Sequence, residues 1–289
     1  MSILIGIDDT DNKESRGTGF HARQLAARLE KEFMVTVNGI TRHQQLVHPD
    51  VPYTSQNSSA CIEISDTNID ELIKFCRNHL IDNQVPGCDI GLCVAPKEKI
   101  SKEIISFAQS VKKVVVNRAM ARETAARNRV FLEGLCGTED GIIGALSATG
   151  LRKSGNDGRF IWLAGSVKEL RDLPEGVMTL AELKRLSGIT AARTPEGKIV
   201  EDTDAILLNH WVRPILENGK AVLIVVSASL DQQVSASLDQ QVSASLDQQV
   251  PASLDQQVPA SLDQQDKTIK QIHYEWETAG KDIVRKLSD

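Results

Sequence analysis

Three carboxylates, Asp8, Asp9 and Asp11, crowd the amino end of this 289-residue chain, directly after the apolar run Ile3-Leu4-Ile5-Gly6-Ile7. Negative charges gathered at the end of a buried strand repel. Two unit charges about 4 Å apart cost roughly 1 kcal/mol in water and about 4 kcal/mol at an effective dielectric near 20. The chemistry that relieves them is divalent-cation binding, with Asp8, Asp9 and Asp11 holding Mg²⁺ and the ion holding nucleotide phosphates for phosphoryl transfer.

Other segments offer groups to the same chemistry. The loop from Asn12 to Arg16 ends in Gly17-Thr18-Gly19 and opens a helix, so a hydroxyl and bare backbone amides come within reach of the carboxylates. A helix start flanked by glycine suits phosphate, although Thr18 also suits a plain capping role. A second glycine-bearing helix start spans residues 137–145. There Gly141 and Gly144 permit close backbone approach, either to a ligand or to packed neighbours. Glu139 and Asp140 suit a helix N-terminus but repel a bare phosphate unless magnesium lies between. The polar stretch from Leu46 to Ala60, with Pro49 and Pro52, presents His48, Tyr53 and Asn57 to a base or a ribose, or else is a solvated connection.

The elements that must position these groups follow from hydrophobic period. Strands are expected at Ile3 to Ile7, Met34 to Ile40, Ala60 to Ile64 and Cys88 to Val94, with helices at Gly19 to Phe33 and Ile69 to Leu80. That order, β-α-β-β-α-β, predicts an α+β fold: a ferredoxin-like layer with its helices on one face. A helix capped by Ser101, a second over Arg118 to Arg129, a buried helix after Gly141 and a strand at Arg159 to Ala164 extend it to a first domain of residues 1–165. Residues 166–226 read as a small α/β unit. It holds a helix at Leu180 to Leu186, turn signals at Pro195-Glu196-Gly197 and Glu217-Asn218-Gly219, and the apolar strand Ala221 to Val226.

Residues 227–265 are five copies of an eight-residue unit close to Ser-Ala-Ser-Leu-Asp-Gln-Gln-Val. An eight-residue period drifts by about 80° per copy around a 3.6-residue helix, so Val and Leu cannot hold one face. A disordered tandem-repeat insert is expected. The tail, residues 266–289, is expected to be a helix packing on the small unit through Ile269, Ile272, Trp276 and Ile283.

The net charge of −6 argues against a broad nucleic-acid surface, but the repeats carry five Asp and no Lys or Arg, so the remainder stands near −1. Arg118, Arg122, Arg127 and Arg129 form a local basic cluster that could meet RNA. No apolar run is long enough to span a membrane and the start lacks the pattern of a signal peptide, so the cytoplasm is the expected compartment. Five scattered cysteines, with no Cys-x-x-Cys pair, suit reduced core thiols and give no support to a structural zinc.

Three motifs occur together in a fixed order: Gly6-Ile7-Asp8-Asp9-Thr10-Asp11; the Pro49-x-x-Pro52-Tyr53 loop followed by Asn57, Ser58 and Ala60; and Gly141-Ile142-Ile143-Gly144-Ala145-Leu146. In order and spacing they resemble the N-terminal kinase-like domain of the archaeal agmatinylcytidine synthetases that modify an isoleucine tRNA, over about residues 1–165. The resemblance implies an ATP- and Mg²⁺-dependent domain whose acidic cluster holds the metal and the nucleotide. Gly6, Thr10, Gly17, Gly19, Gly141 and Gly144 would then border the nucleotide, and His48, Tyr53, Asn57 and Ser58 the second substrate. It further implies a threonine at the start of the first helix that receives a phosphoryl group, for which Thr18 is the best match, and ATP-driven activation of a cytidine oxygen for displacement by an amine. The chain departs from that family in its loop, where Lys-Thr-Arg-Gly-Asn is replaced by Thr54-Ser55-Gln56-Asn57-Ser58 without cations, and in having no counterpart of the nucleic-acid-binding barrel and zinc ribbon.

The expected activity is that of an ATP-dependent phosphotransferase or synthetase (ligase-like) acting on tRNA or a small nucleoside-like substrate. Two other readings remain open: a nucleotide- or RNA-binding protein that has kept the fold without turnover, and a haloacid-dehalogenase-like phosphatase using Asp9-Thr10-Asp11 as nucleophile and acid-base pair. For the repeats, limited proteolysis is expected to cut first within residues 227–265; full resistance there would overturn the disordered reading.

Overall fold

Alternation along the first strand explains why it lies between two apolar cores. The structure, a computed structural model, describes residues 1–51, 53, 57–228 and 274–289. The repeats beyond Ala228, with Ile269 and Ile272, lie outside the described residues, as do Pro52, Thr54, Ser55 and Gln56. The first part of the chain runs β1 (Ser2–Asp8), α1 (Thr18–Glu32), β2 (Val37–Gln44), β3 (Ser58–Ser65), α2 (Ile69–Asp82), β4 (Gly91–Pro96), α3 (Lys102–Val111), α4 (Arg118–Asn128), β5 (Phe131–Gly134), α5 (Gly141–Ser154) and β6 (Arg159–Leu163). On β1, Ile3, Ile5 and Ile7 point into a core shared with α1 and α2, whereas Leu4 points into a second core shared with α3, α4 and α5.

The order β4-β1-β3-β2, with every neighbour antiparallel, is the ferredoxin-like layer of an α+β fold. β5 extends it beyond β4 and β6 beyond β2. As expected of that layer, α1 and α2 share a face. The helices that follow cover the opposite one, because Leu4, Cys61, Cys93 and Ala95 give the sheet a second apolar side. Local chemistry sets the helix starts. Asn68 accepts from the Asp70 and Glu71 amides ahead of α2, and Ser101 from those of Glu103 and Ile104 ahead of α3. β2 begins later than its hydrophobic pattern suggests, since Met34 takes a left-handed turn with φ 56°. It then continues through polar residues because their side chains are partnered. The Thr41 hydroxyl meets His43 Nε2 at 2.8 Å, and His43 Nδ1 meets Asp157 at 2.9 Å.

The rest of the chain adds β7 (Gly176–Thr179), α6 (Leu180–Ser187), β8 (Ala191–Arg193), β9 (Ala205–Leu208), β10 (Ile215–Glu217), β11 (Lys220–Ser227), β12 (Trp276–Thr278) and α7 (Lys281–Ser288). Asn218 and Gly219, both at positive φ, turn β10 into β11 as their sequence suggests. A capping box between Thr179 and Glu182 starts α6. The described sheet is continuous across β2, β6, β10 and β11. Part of the tail departs from a helix. Trp276 stands in a strand paired with β11 and β9, buried in the core of this second part, because an apolar strand as long as β11 has a further edge to satisfy. Ile283 packs from α7 as expected.

α5 rests on the sheet at backbone contact. A Cβ on Gly6 would run into the Ala145 carbonyl, and one on Gly91 into the backbone of Gly141. Gly6→Ala is therefore expected to destabilise the protein by about 1–3 kcal/mol through overpacking. Guanidinium unfolding would show this as a lower midpoint at unchanged slope, and an unshifted midpoint would contradict the contact.

Candidate active site

β1 ends at Asp8, and the chain leaves the sheet through Asp9, which takes a left-handed conformation with φ 52°. Few residues other than glycine tolerate that region, and aspartate is one of them. The Asp9 carbonyl is held by the Asp89 amide at 3.2 Å, so the strained turn is tied to the entry of β4. Asp8, Asp9 and Asp11 line one cavity of about 170 Å³, together with Asp50, Asp140 and Thr18. The Asp8 carboxylate occupies the space a side chain on Gly144 would fill. Asp11 turns toward α1. Its Oδ1 accepts from the Thr18 amide at 3.1 Å and from the Thr18 hydroxyl at 3.0 Å, doing the capping that Gly17 cannot do.

The electrostatics are those of a crowded acidic group. Burial, reinforced by Asp9 and Asp11, pushes Asp8 up to about 8, with the Asp9 amide and Arg42 opposing. Burial, then repulsion from Asp89, Asp11 and Asp140, raises Asp9 to about 6. Asp89 is a member that the sequence reading missed. It lies far from Asp9 along the chain, and only the pairing of β4 with β1 brings it in. Asp89 accepts from the Thr138 amide, and the Thr138 hydroxyl donates to Asp140 at 2.7 Å.

Among the described residues no three His, Cys, Asp or Glu side chains are grouped so as to hold a metal ion by themselves. Mg²⁺ asks less of a protein, since one or two carboxylates suffice when phosphates and water complete the octahedron. Asp8 and Asp9, each pushed up first by burial and then by neighbouring carboxylates, have the chemistry to meet that demand.

The remaining candidates fall into distinct places. Gly141, Gly144, Tyr53, Asn57 and Ser58 border the cavity. Asn57 also closes its own loop, donating to the Leu46 carbonyl at 2.7 Å and accepting from the Gln45 amide at 2.8 Å. Gly6 faces α5, Gly17 is the cap position of α1, and Gly19 lies against the Arg42 side chain. Thr10 is buried, and its hydroxyl has no hydrogen-bond partner among the described residues. His48 stands outside the lining and makes a local contact to the Asp50 amide at 3.2 Å. Val111, Val114, Val115, Val116 and Ile143 supply an apolar wall, with Val114 and Val115 about half exposed beside the acids. The sequence reading missed this wall too; the run Val114-Val115-Val116 was its only signal. Arg118, Arg122 and Arg127, expected as a basic surface, instead pair with Asp140, Glu139, and Glu103 and Glu123.

No protein-family model matches the chain. The uncharacterized protein MJ0921 of Methanocaldococcus jannaschii is 31% identical over 162 residues, which are 52% of this chain and 49% of that protein. The chain thus spans about half the length of this curated relative. Among solved structures, apo TiaS, a tRNA agmatidine synthetase, superposes with a TM-score of 0.45 at 21% identity over 52% of this chain and 35% of TiaS. TiaS in complex with an isoleucine tRNA and ATP gives 0.45 at 22% identity over 52% and 36%. No helix of the described residues is long and apolar enough to cross a membrane.

The shifted carboxyls make stability depend on pH. An aspartate that keeps its proton to about 8 when folded, against 3.8 otherwise, leaves the folded state holding more protons between those values, so stability falls as pH rises. Denaturation midpoints of the cation-free protein are expected to drop from about pH 5 to about pH 9, and Asp8→Asn to flatten the drop. A variant with the wild-type slope would remove Asp8 as its source.

Proposed function

We propose that this cavity binds a nucleoside triphosphate with Mg²⁺ and that the protein is an ATP-dependent phosphotransferase or synthetase acting on an oxygen of a nucleoside or RNA substrate. The observation that carries this reading is the convergence on one cavity of the repelling pair Asp8 and Asp9 with the Thr18 hydroxyl, which already donates to Asp11 at 3.0 Å. TiaS, described in complex with ATP and tRNA, is an example of the chemistry meant.

Each residue has a definite task in it. Asp8 and Asp9 would hold the cation, which when bound offsets the charge of the polyphosphate and polarises the phosphorus under attack. Asp11 holds the Thr18 hydroxyl in a fixed direction and is placed to take its proton as the oxygen bonds to the terminal phosphorus of the triphosphate, whose anhydride bond breaks to release the nucleoside diphosphate. The α1 and α5 helices both begin at the cavity, and their N-terminal ends favour anionic oxygens there. The valine wall gives the flat face of a base an apolar surface beside the charged end.

The dehalogenase-like reading loses ground, because it calls for a parallel sheet and β1 pairs antiparallel with both neighbours. Asp9→Asn is expected to lower Mg²⁺-dependent ATP turnover by about 100-fold or more while leaving the circular dichroism spectrum unchanged, since removing one carboxylate halves the proposed cation ligation. Turnover at the wild-type rate in that variant would refute the reading, and ATP binding without turnover in the wild type would favour a non-catalytic nucleotide-binding protein.

A further inference from the structure

Arg42 on β2 and Arg159 on β6 are direct cross-strand partners. Arg213 stands two residues before Ile215, the β10 residue that pairs with Arg159. Three neighbouring chain segments thus carry arginines side by side, although like charges placed opposite one another repel. The helices over this face add Arg23 from α1 and Arg285 from α7. Burial, then repulsion from Arg159 and Arg23, lowers the pKa of Arg42. Burial, then Arg23, Arg42, Arg159 and Arg171, takes Arg213 down to about 10.

Carboxylates answer part of this charge. Glu169 lies 3.2 Å from Arg23 and 2.6 Å from Arg171, and Asp289 lies 2.9 Å from Arg159. Arg42 and Arg213 form no ion pair with a described carboxylate. Arg42 donates to the Ser58 hydroxyl, and its buried Nε has no hydrogen-bond partner among the described residues. Arg213 donates to the Val212 carbonyl at 2.6 Å. A guanidinium withdrawn from water without a counter-ion is strongly unfavourable, and an anion that supplies paired oxygens reverses the balance.

Two guanidiniums without an ion-paired carboxylate among the described residues, Arg42 feeling Asp11 only at a distance, suit about two negative charges, which a phosphate monoester carries near neutral pH and a carboxylate or a phosphodiester does not. Guanidinium forks also match phosphate oxygens in geometry. The location connects this charge to the acidic cavity. Arg42 lies along Gly19 at the start of α1, its partner Ser58 lines the cavity, and its charge is felt by Asp8.

We propose that Arg42 and Arg213, with Arg159 between them, form a phosphate-monoester site beside the acidic cavity and, resting on the activity proposed above, that this site holds a phosphate of the second substrate.

Isothermal titration of the full chain without Mg²⁺ or ATP tests the site separately from the cavity. The probes are inorganic phosphate, uridine 5′-monophosphate and an oligouridylate ending in a 5′-hydroxyl. The wild type is expected to bind the first two, and Arg213→Met to weaken both by about tenfold or more, the worth of one lost charge-assisted contact. Asp9→Asn is expected to keep phosphate binding, so loss of ATP turnover in that variant and loss of phosphate binding in the arginine variants report on different readings. Melting temperature guards against a structural explanation. Arg213→Met should melt higher than the wild type in the absence of phosphate, because an unpaired charge is gone, and should lose the phosphate-induced rise. The proposal is overturned if the wild type binds neither monoester probe, if Arg213→Met and Arg42→Gln both bind them as the wild type does, or if only the oligouridylate binds.

Discussion

Backbone contact between α5 and the central strands is the constraint on which the rest depends. Gly6 and Gly91 remove the side chains that would hold the helix away, and Gly141 and Gly144 do the same from the helix side. Because α5 comes so close, its first turn covers the end of β1, the Asp8 carboxylate is wedged beside Gly144, and the group loses much of its hydration. The raised pKa values of Asp8 and Asp9 are therefore a consequence of packing and of charge together. Gly6, Gly141 and Gly144, which the sequence offered as neighbours of a nucleotide, act first as spacers. Only Gly141 and Gly144 also border the cavity.

Charge in this protein is divided by the sheet. Acidic groups gather where β1, the entry of β4 and the start of α5 meet, and arginines gather on the side of the sheet facing α1 and α7. Arg42 is coupled to both sets, its charged form disfavoured by burial and by its fellow arginines and favoured by Asp11. Such a division stores repulsion of opposite sign in two neighbouring places. Under the readings proposed above, a cation with polyphosphate would relieve one and a phosphate the other, which would give a single molecule reason to keep both.

The polar interior serves the same geometry from behind. Gln45, which borders the cavity, donates to the Ser59 hydroxyl at 2.5 Å and accepts from that of Ser147 at 3.1 Å, linking β2, β3 and α5. Satisfied buried polar groups of this kind restrict how the elements can slide, because a shift of register would leave several of them unpaired. Among the described residues, the second part of the chain takes no share in lining the acidic cavity. Its contribution to this region is positive charge, through Arg171, Arg213 and Arg285.

Much of the layer was legible from residues alone, because its signals are local. The alternation Ile3, Ile5 and Ile7, the helical spacing of Leu25, Ala26 and Leu29, the cap Ser101 and the turn at Asn218-Gly219 each act over a few positions, and the structure follows them. The clustering of Asp8, Asp9 and Asp11 in one cavity was legible for the same reason. The recruitment of Asp89, the valine wall, the row Arg42, Arg159 and Arg213, the second covered face of the sheet and the strand at Trp276 were decided by tertiary structure. Each depends on which distant segments pair and in what register. That choice is made by side-chain packing summed over the whole sheet, which no short stretch of sequence contains.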